Sequence, residues 1–397
     1  MFFTMFQRII FPQLLDQVHT KEIVVLTGMR RVGKTTVYRM IFDRIQSSNK
    51  IFLDLENPLE QKIFEETDYN AIWSNLASYG VNSKDKAYIF LDEIQERPEI
   101  VKAVKYLYDH YDVKFFLTGS SSYYFTHLFP ESLAGRKILF ELYPLTFQEF
   151  LIFKQVQKSF PQTFEEKAAQ KNGVSYEKYR ALYDEYLAYG GFPEVVLAPA
   201  IDQKCAKLND IFTSYFEKDV AHLADIRNVH VFRDLLLLLL QRTGSKLDVT
   251  RLASEVGVSR PTVYHYLSFL ESTYVIFFVS QYGKNVDGVV RGGKKLYVCD
   301  NGFLSVFSRV PEATVLENAV YLNVRSHGKV QFFQAPSGAE VDFILPEKSL
   351  ALEVKWSARE KDVRDVTRRM RSSDIREYYV VSKLYADISG AIPAQDL

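Results

Sequence analysis

The chain has 397 residues, 47% hydrophobic and 25% charged, with 49 basic against 49 acidic side chains and no net charge. That length suits two or three domains, and the mixture supplies a core for each. Balanced charge excludes a global field that would draw the molecule to nucleic acid or a membrane, so such binding must come from a local patch.

Residues 23–27, IVVLT, read as a buried strand, and residues 36–42 read as a helix. Between them, residues 28–35 spell GMRRVGKT and match the P-loop spacing G-x-x-x-x-G-K-S/T at every fixed position. Glycines let successive backbone N–H groups turn inward around phosphate oxygens, and the helix N-terminus adds its positive end. Gly28, Met29, Arg30, Arg31, Val32, Gly33, Lys34, Thr35 and Thr36 are therefore candidate ATP-binding residues. Lys34 would reach the β- and γ-phosphates, and the Thr35 hydroxyl would bind Mg²⁺.

Further apolar strands are expected at 51–55, 88–92, 114–118 and 137–140, with a helix over 100–111. Short apolar strands alternating with helices predict a parallel sheet covered on both faces. The strand 88–92 ends in Asp92 and Glu93. Asp92 would support the Mg²⁺ shell, and Glu93 would act as general base on the attacking water. The next strand ends in Thr118-Gly119-Ser120, where Ser120 first and Thr118 second could contact phosphate or water; a solvated strand end gives the same string. Arg136 could stabilise charge on a nucleotide held by a neighbouring subunit of a homo-oligomer, or sit in an ordinary surface ion pair.

Residues 160–189 read as polar helix broken by Gly190-Gly191-Phe192-Pro193, and 201–240 as another helical region. Residues 249–256 and 260–270 form two helices joined at Gly257, with Ser259 as cap and Pro261 in the first turn, and 274–280 follow as a strand. That is a winged helix-turn-helix pattern. Ser259, Arg260, Thr262, Tyr264 and His265 would face DNA, with Lys284, Arg291, Lys294 and Lys295 as a basic cluster on the wing. A winged helix that packs on protein has the same sequence pattern. His265 has no partner at metal-ligand spacing.

The last hundred residues predict a helix over 315–324, strands at 330–333, 340–345 and 349–356, a helix at 360–370 and a strand at 377–381. Asp342 followed by Glu353-Val354-Lys355 reproduces the spacing of PD-(D/E)xK nucleases, although Val341 stands where the motif name has proline. Asp342 and Glu353 on adjacent strands could hold Mg²⁺, Lys355 would orient water from the same strand face, and Glu317 could complete the site. A solvated strand of alternating charge gives the same string.

Together, residues 28–35, Leu91-Asp92-Glu93, 117–121, 141–150, 189–194 and 295–302 resemble a widespread prokaryotic group of AAA-type P-loop ATPases that carry a C-terminal domain of unknown function. The resemblance covers nearly the whole chain. It implies an α/β protein: a parallel-sheet P-loop ATPase domain over 1–199, a helical linker and winged helix-turn-helix over 200–292, and a restriction-endonuclease-like domain over 293–397. The implied ligands are ATP and Mg²⁺. DNA is one expected partner, and a nucleotide-dependent switch binding protein partners is the alternative. Cys205 and Cys299 lie far apart, no secretory leader is evident, and the longest apolar run, 235–240, is too short to cross a bilayer. A cytoplasmic protein without membrane association is expected.

Overall fold

The computed structural model describes residues 6–121, 133, 135–220, 226, 228–283, 293–335, 337–371 and 373–397. Contacts divide the chain into two compact units, Met1–Tyr143 with Ser272–Tyr274, and Pro144–Glu271 with Val275–Leu397. The boundaries expected at 199/200 and 292/293 both fall within the second unit.

The first unit is built on a five-stranded sheet: β1 (Ile23–Thr27), β2 (Lys50–Asp54), β3 (Ala87–Asp92), β4 (Val113–Gly119) and β5 (Lys137–Glu141). Their order is β2-β3-β4-β1-β5, and every ladder is parallel. β1 and β4 are buried along their whole length, as apolar runs in the middle of a covered parallel sheet must be. The edge strand β5 is half exposed.

Aromatic side chains fasten the helix Lys34–Arg44 to this sheet. Tyr38 is fully buried and meets Phe90 and Phe116 edge-on at 5.7 and 5.6 Å, while those two rings stack at 4.3 Å. Its hydroxyl donates to the Val24 carbonyl at 3.1 Å. Such ring pairs contribute about 0.5–1.5 kcal/mol each beyond the area they bury. They hold the helix against β3 and β4.

The second unit carries helices Phe147–Phe153, Gly173–Tyr189, Ile201–Ser214, Val229–Gln241 and Val249–Val256, followed by Arg260–Ser272 whose last residue joins the first unit. Gly257, at φ 69°, turns the chain between the last two helices. Asp248 caps the first of them through the Arg251 N–H, and the Ser259 hydroxyl accepts from Thr262 N–H. The unit's seven-stranded sheet has the order β12-β11-β10-β9-β8-β6-β7. Its members are β6 (Ile276–Gln281), β7 (Lys294–Val298), β8 (Gln331–Gln334), β9 (Glu340–Leu345), β10 (Leu350–Lys355), β11 (Glu377–Ser382) and β12 (Ala391–Pro393). β6 and β7 pair antiparallel across residue 292, and β6 runs parallel to β8. The strand after the helix-turn-helix is thus continuous with the C-terminal sheet. Helix Glu312–Val324 precedes the β8–β9–β10 meander, and helix Glu360–Met370 crosses from β10 to parallel β11.

Two sequence motifs meet inside this unit. Gly191 and Gly302 donate their N–H groups to the two oxygens of buried Asp300, at 2.6 and 2.8 Å. A Cβ on Gly190, at φ 74°, would lie 1.8 Å from an Asp300 oxygen. Leu145 N–H donates to the Gly191 carbonyl at 2.7 Å, which ties the 144–146 segment to the same knot. That bond helps explain why residues after Tyr143 cluster with the second unit.

Candidate functional site

The C-terminal ends of β1, β4 and β3 lie side by side, because β4 is inserted between the other two. Register sets Thr27 beside Gly119 and Leu91 beside Leu117, so the residues following each strand converge on one edge. Open parallel sheets bind ligands beyond this edge.

The loop after β1 turns through Gly28 at φ 152°, Arg31 at φ 64° and Gly33 at φ 98°. Met29 and Val32 are buried. A Cβ at Gly28 would fall 2.0 Å from the Leu142 carbonyl oxygen; one at Gly33 meets nothing within 4 Å. Lys34 is 3% exposed, and its ammonium donates to the Gly28 and Met29 carbonyls at 2.9 and 3.2 Å. Arg30 pairs with Glu56 and Glu96 at 3.3 and 3.5 Å. Thr36 is exposed in the first helical turn.

Asp92 joins three elements. It accepts from the Thr35 hydroxyl at 2.7 Å and, through its other oxygen, from the Thr118 hydroxyl. Burial pushes its carboxyl pKa up, while the two hydroxyl bonds hold it down. Thr118 also accepts the Glu93 N–H at 2.9 Å, so one hydroxyl orders both acids. Glu93 has φ 54°, a strained conformation for a residue with a side chain. Its carboxylate accepts from the Gln95 amide, whose oxygen in turn accepts the Ser120 N–H at 3.3 Å. Ser120 is therefore in the cluster, but Thr118 is the residue in direct contact with both acids.

Sequence reasoning missed Gln95 and Arg8. Gln95 sits in the short turn Ile94–Glu96, and its signal is an amide two residues after the second acid. Arg8 is 5% exposed and donates to the Val32 and Tyr143 carbonyls at 2.8 and 2.7 Å. It pins the phosphate loop to the chain leaving β5. Nearby, Tyr274 donates to Glu141 at 3.1 Å, and the Ser121 hydroxyl donates to the Ser272 carbonyl at 3.1 Å.

Arg136 stands apart. Its carbonyl accepts the Ile23 N–H, at the start of β1 and thus at the opposite end of the sheet from the loop. Its guanidinium grips Asp109 through two bonds, at 2.8 and 3.1 Å.

The site accepts Mg²⁺-nucleotide chemistry on its donor set: a hydroxyl and a carboxylate, both hard oxygen ligands, lie beside a buried ammonium. Sheet order, loop and paired acids define a P-loop ATPase domain. Residues 20–151 match a family described as an AAA domain, and residues 180–314 match a domain of unknown function (DUF8612). An uncharacterized protein of Haemophilus influenzae is 28% identical over 356 residues, 86% of this chain and 84% of its own. An uncharacterized protein of Methanocaldococcus jannaschii is 29% identical over 337 residues, 82% of this chain and 72% of its own. Among solved structures, the Walker-type ATPase of Pyrococcus abyssi has a TM-score of 0.47 and 13% identity, over 75% of this chain and 94% of that one. Among the described residues, no helix is long and apolar enough to cross a membrane.

The second unit brings a different set of sequence candidates together. The Tyr297 hydroxyl donates to Glu317 at 2.7 Å, and the Val354 N–H donates to Asp342 at 2.8 Å. Glu353 accepts from Lys355 at 2.7 Å and from Arg369 at 3.2 Å. Lys295 lies among the acids, 3.7 Å from Glu317, 3.5 Å from Glu340 and 3.9 Å from Asp342. It is 4% exposed, so it does not join a basic wing surface as its neighbours in sequence suggested. Lys294 is exposed, and Lys284 and Arg291 lie outside the described residues. Burial opposes the Lys295 charge, but Glu317, Asp342 and Glu340 outweigh it and raise its pKa. Burial and the Asp342 charge push the Glu317 carboxyl up to about 7. Among the described residues no three acids, histidines or cysteines gather closely enough to hold a metal.

On the helix-turn-helix, Ser259, Arg260, Tyr264 and His265 are exposed, and Thr262 is half-buried.

Proposed function

We propose that this chain hydrolyses ATP and acts on DNA through its helix-turn-helix, with residues 1–199, 200–292 and 293–397 as ATPase, winged-helix and nuclease-like regions. The observation that carries the ATPase reading is Asp92, bonded at once to Thr35 and Thr118 with Glu93 adjoining. Residues 28–36 would cradle the phosphates, and Lys34 would exchange its loop carbonyls for β- and γ-phosphate oxygens. Thr35 and Asp92 would hold Mg²⁺, which when bound neutralises charge between those phosphates. Glu93 would take the proton of the attacking water, steadied by Gln95 and by Thr118 at its own N–H, with Ser120 alongside. Arg136, at the far end of the sheet, would serve only a nucleotide held by a second copy in a homo-oligomer.

Exposed Arg260, Tyr264, His265 and Lys294 support the DNA reading by residue type and position. The order helix, three strands, helix, strand with Asp342 and Glu353-Val354-Lys355 supports the nuclease-like one. Lys295 among the acids favours a second reading of that domain, as a catalytically silent scaffold in a nucleotide-dependent switch that binds protein.

Mg²⁺-dependent phosphate release from ATP is the test. Lys34→Ala should abolish it, and Glu93→Gln should retain nucleotide while losing turnover; parental rates in both would end the ATPase reading. Duplex DNA affinity that falls steeply with salt, and weakens in Arg260→Ala, supports the DNA arm. No binding at low salt leaves the switch.

A further inference from the structure

Four carboxylates and three cationic side chains gather across β7, β9, β10 and the helices Glu312–Val324 and Glu360–Met370. Glu317, Glu340 and Asp342 converge on the Lys295 ammonium within 4 Å, while Glu353 is held by Lys355 and Arg369. Lys295 and Glu353 are buried, at 4% and 6% exposed, while Glu317, Glu340, Asp342, Lys355 and Arg369 are partly exposed around them. One Glu353 oxygen is shielded from solvent with no hydrogen-bond partner. An oxygen in that state has an unmet demand for a proton or a cation.

We propose that Lys295 is a built-in counter-ion that occupies the cation position of this acid pocket and thereby excludes a divalent metal. The proposal rests on the silent-scaffold reading of the C-terminal domain. The physical ground is competition for the same charge. An ammonium tethered by the β7 backbone is present at fixed position whatever the solution composition, whereas a divalent ion must shed water to enter. With Lys295 in place, a divalent ion near Asp342 and Glu317 would also meet a positive charge within a few ångströms at a site partly shielded from water. Removing the ammonium leaves three carboxylates with too little compensating charge, and repulsion among them is relieved by an oxygen-seeking cation such as Mn²⁺ or Mg²⁺.

The experiment is Mn²⁺ titration of the full chain without nucleotide, followed by electron paramagnetic resonance and by thermal melting. Wild type and Asp342→Asn should bind Mn²⁺ equally, because neither offers a site here. Lys295→Met should gain one Mn²⁺ per chain, at least tenfold tighter than any wild-type site, and Mn²⁺ should raise its melting temperature. Adding Asp342→Asn to Lys295→Met should remove that gain. Lys295→Gln, which keeps length and polarity, covers the case in which the Met variant does not fold. The inference is overturned if Asp342→Asn lowers the Mn²⁺ binding of wild type, a comparison that needs no Lys295 variant. It is equally overturned if the folded Lys295 variants bind no more Mn²⁺ than wild type. Plasmid nicking by wild type in Mg²⁺, lost in Asp342→Ala, would instead refute the silent-scaffold reading itself.

Discussion

Thr118→Val is the sharpest probe of the nucleotide site, because valine keeps the shape and deletes only the hydroxyl. Thr118 is fully buried, so no water can replace what is lost. Its hydroxyl donates to the Asp92 carboxylate, a charge-assisted bond worth about 1.5–3 kcal/mol. It also accepts the Glu93 N–H at 2.9 Å, and stranding that donor costs about 1–3 kcal/mol. The sum is about 2.5–6 kcal/mol, a large share of the roughly 5–15 kcal/mol that holds a typical domain together. Urea denaturation should show the first unit unfolding at correspondingly lower denaturant. Losing the hydroxyl also removes a bond that holds the Asp92 carboxyl down, so turnover should require more Mg²⁺. Thr118→Ser keeps both bonds and should cost only about 1 kcal/mol for one buried methyl. If the Val variant stays within 1 kcal/mol of wild type with unchanged Mg²⁺ dependence, Thr118 does not order the two acids.

Gly28→Ala should lose about 2–5 kcal/mol and all nucleotide binding, since its Cβ would overlap the Leu142 carbonyl oxygen at 2.0 Å; Gly33→Ala meets no atom but holds a side chain at φ 98°, so it should lose only the backbone strain of about 1–3 kcal/mol, and thermal melts compare them. Arg8→Ala frees two carbonyls and should cost about 3 kcal/mol and weaken binding of a fluorescent ATP analogue, whereas an unaltered affinity would deny the loop any such support. Burial pushes the Asp300 carboxyl up to about 7 against the two N–H bonds that favour its charge. The native state therefore keeps a proton that the unfolded chain releases, so this group's stabilisation is full below about pH 4 and is lost as pH rises through about 7. At 1.36 kcal/mol per unit that window spans about 4 kcal/mol. Denaturation at pH 5 and pH 8 should show wild type losing more stability than Asp300→Asn; parallel slopes would refute it.

The phosphate loop was legible because everything it needs is local: apolar strand, glycines, Lys34 and helix follow within about twenty residues. Asp92 and Glu93 were legible for the same reason. The primacy of Thr118 over Ser120 was not, because it depends on β4 lying beside β3 in the register Leu91 to Leu117. Arg8 acts through partners distant in sequence, and nothing in its own neighbourhood marks it; Gln95 stands two residues after Glu93, but its bond to Ser120 depends on β4 lying beside β3. Strands and helices of the last hundred residues followed their periodicity closely. Lys295 misled because a charged neighbour in sequence suggests a shared surface, whereas Lys294 points to solvent and Lys295 into the acids. The motifs around Gly190 and Asp300 were each visible; that they form one knot was not.

That knot constrains how the chain can change over time. Any side chain at 190 collides with the carboxylate at 300, and any shorter residue at 300 strands the amides of 191 and 302. Drift at one position is tolerable only when the other drifts with it. Diverged copies of this protein should therefore inherit the pair jointly, and a chimera spliced between residues 191 and 300 should fail whenever its two parents differ at either end.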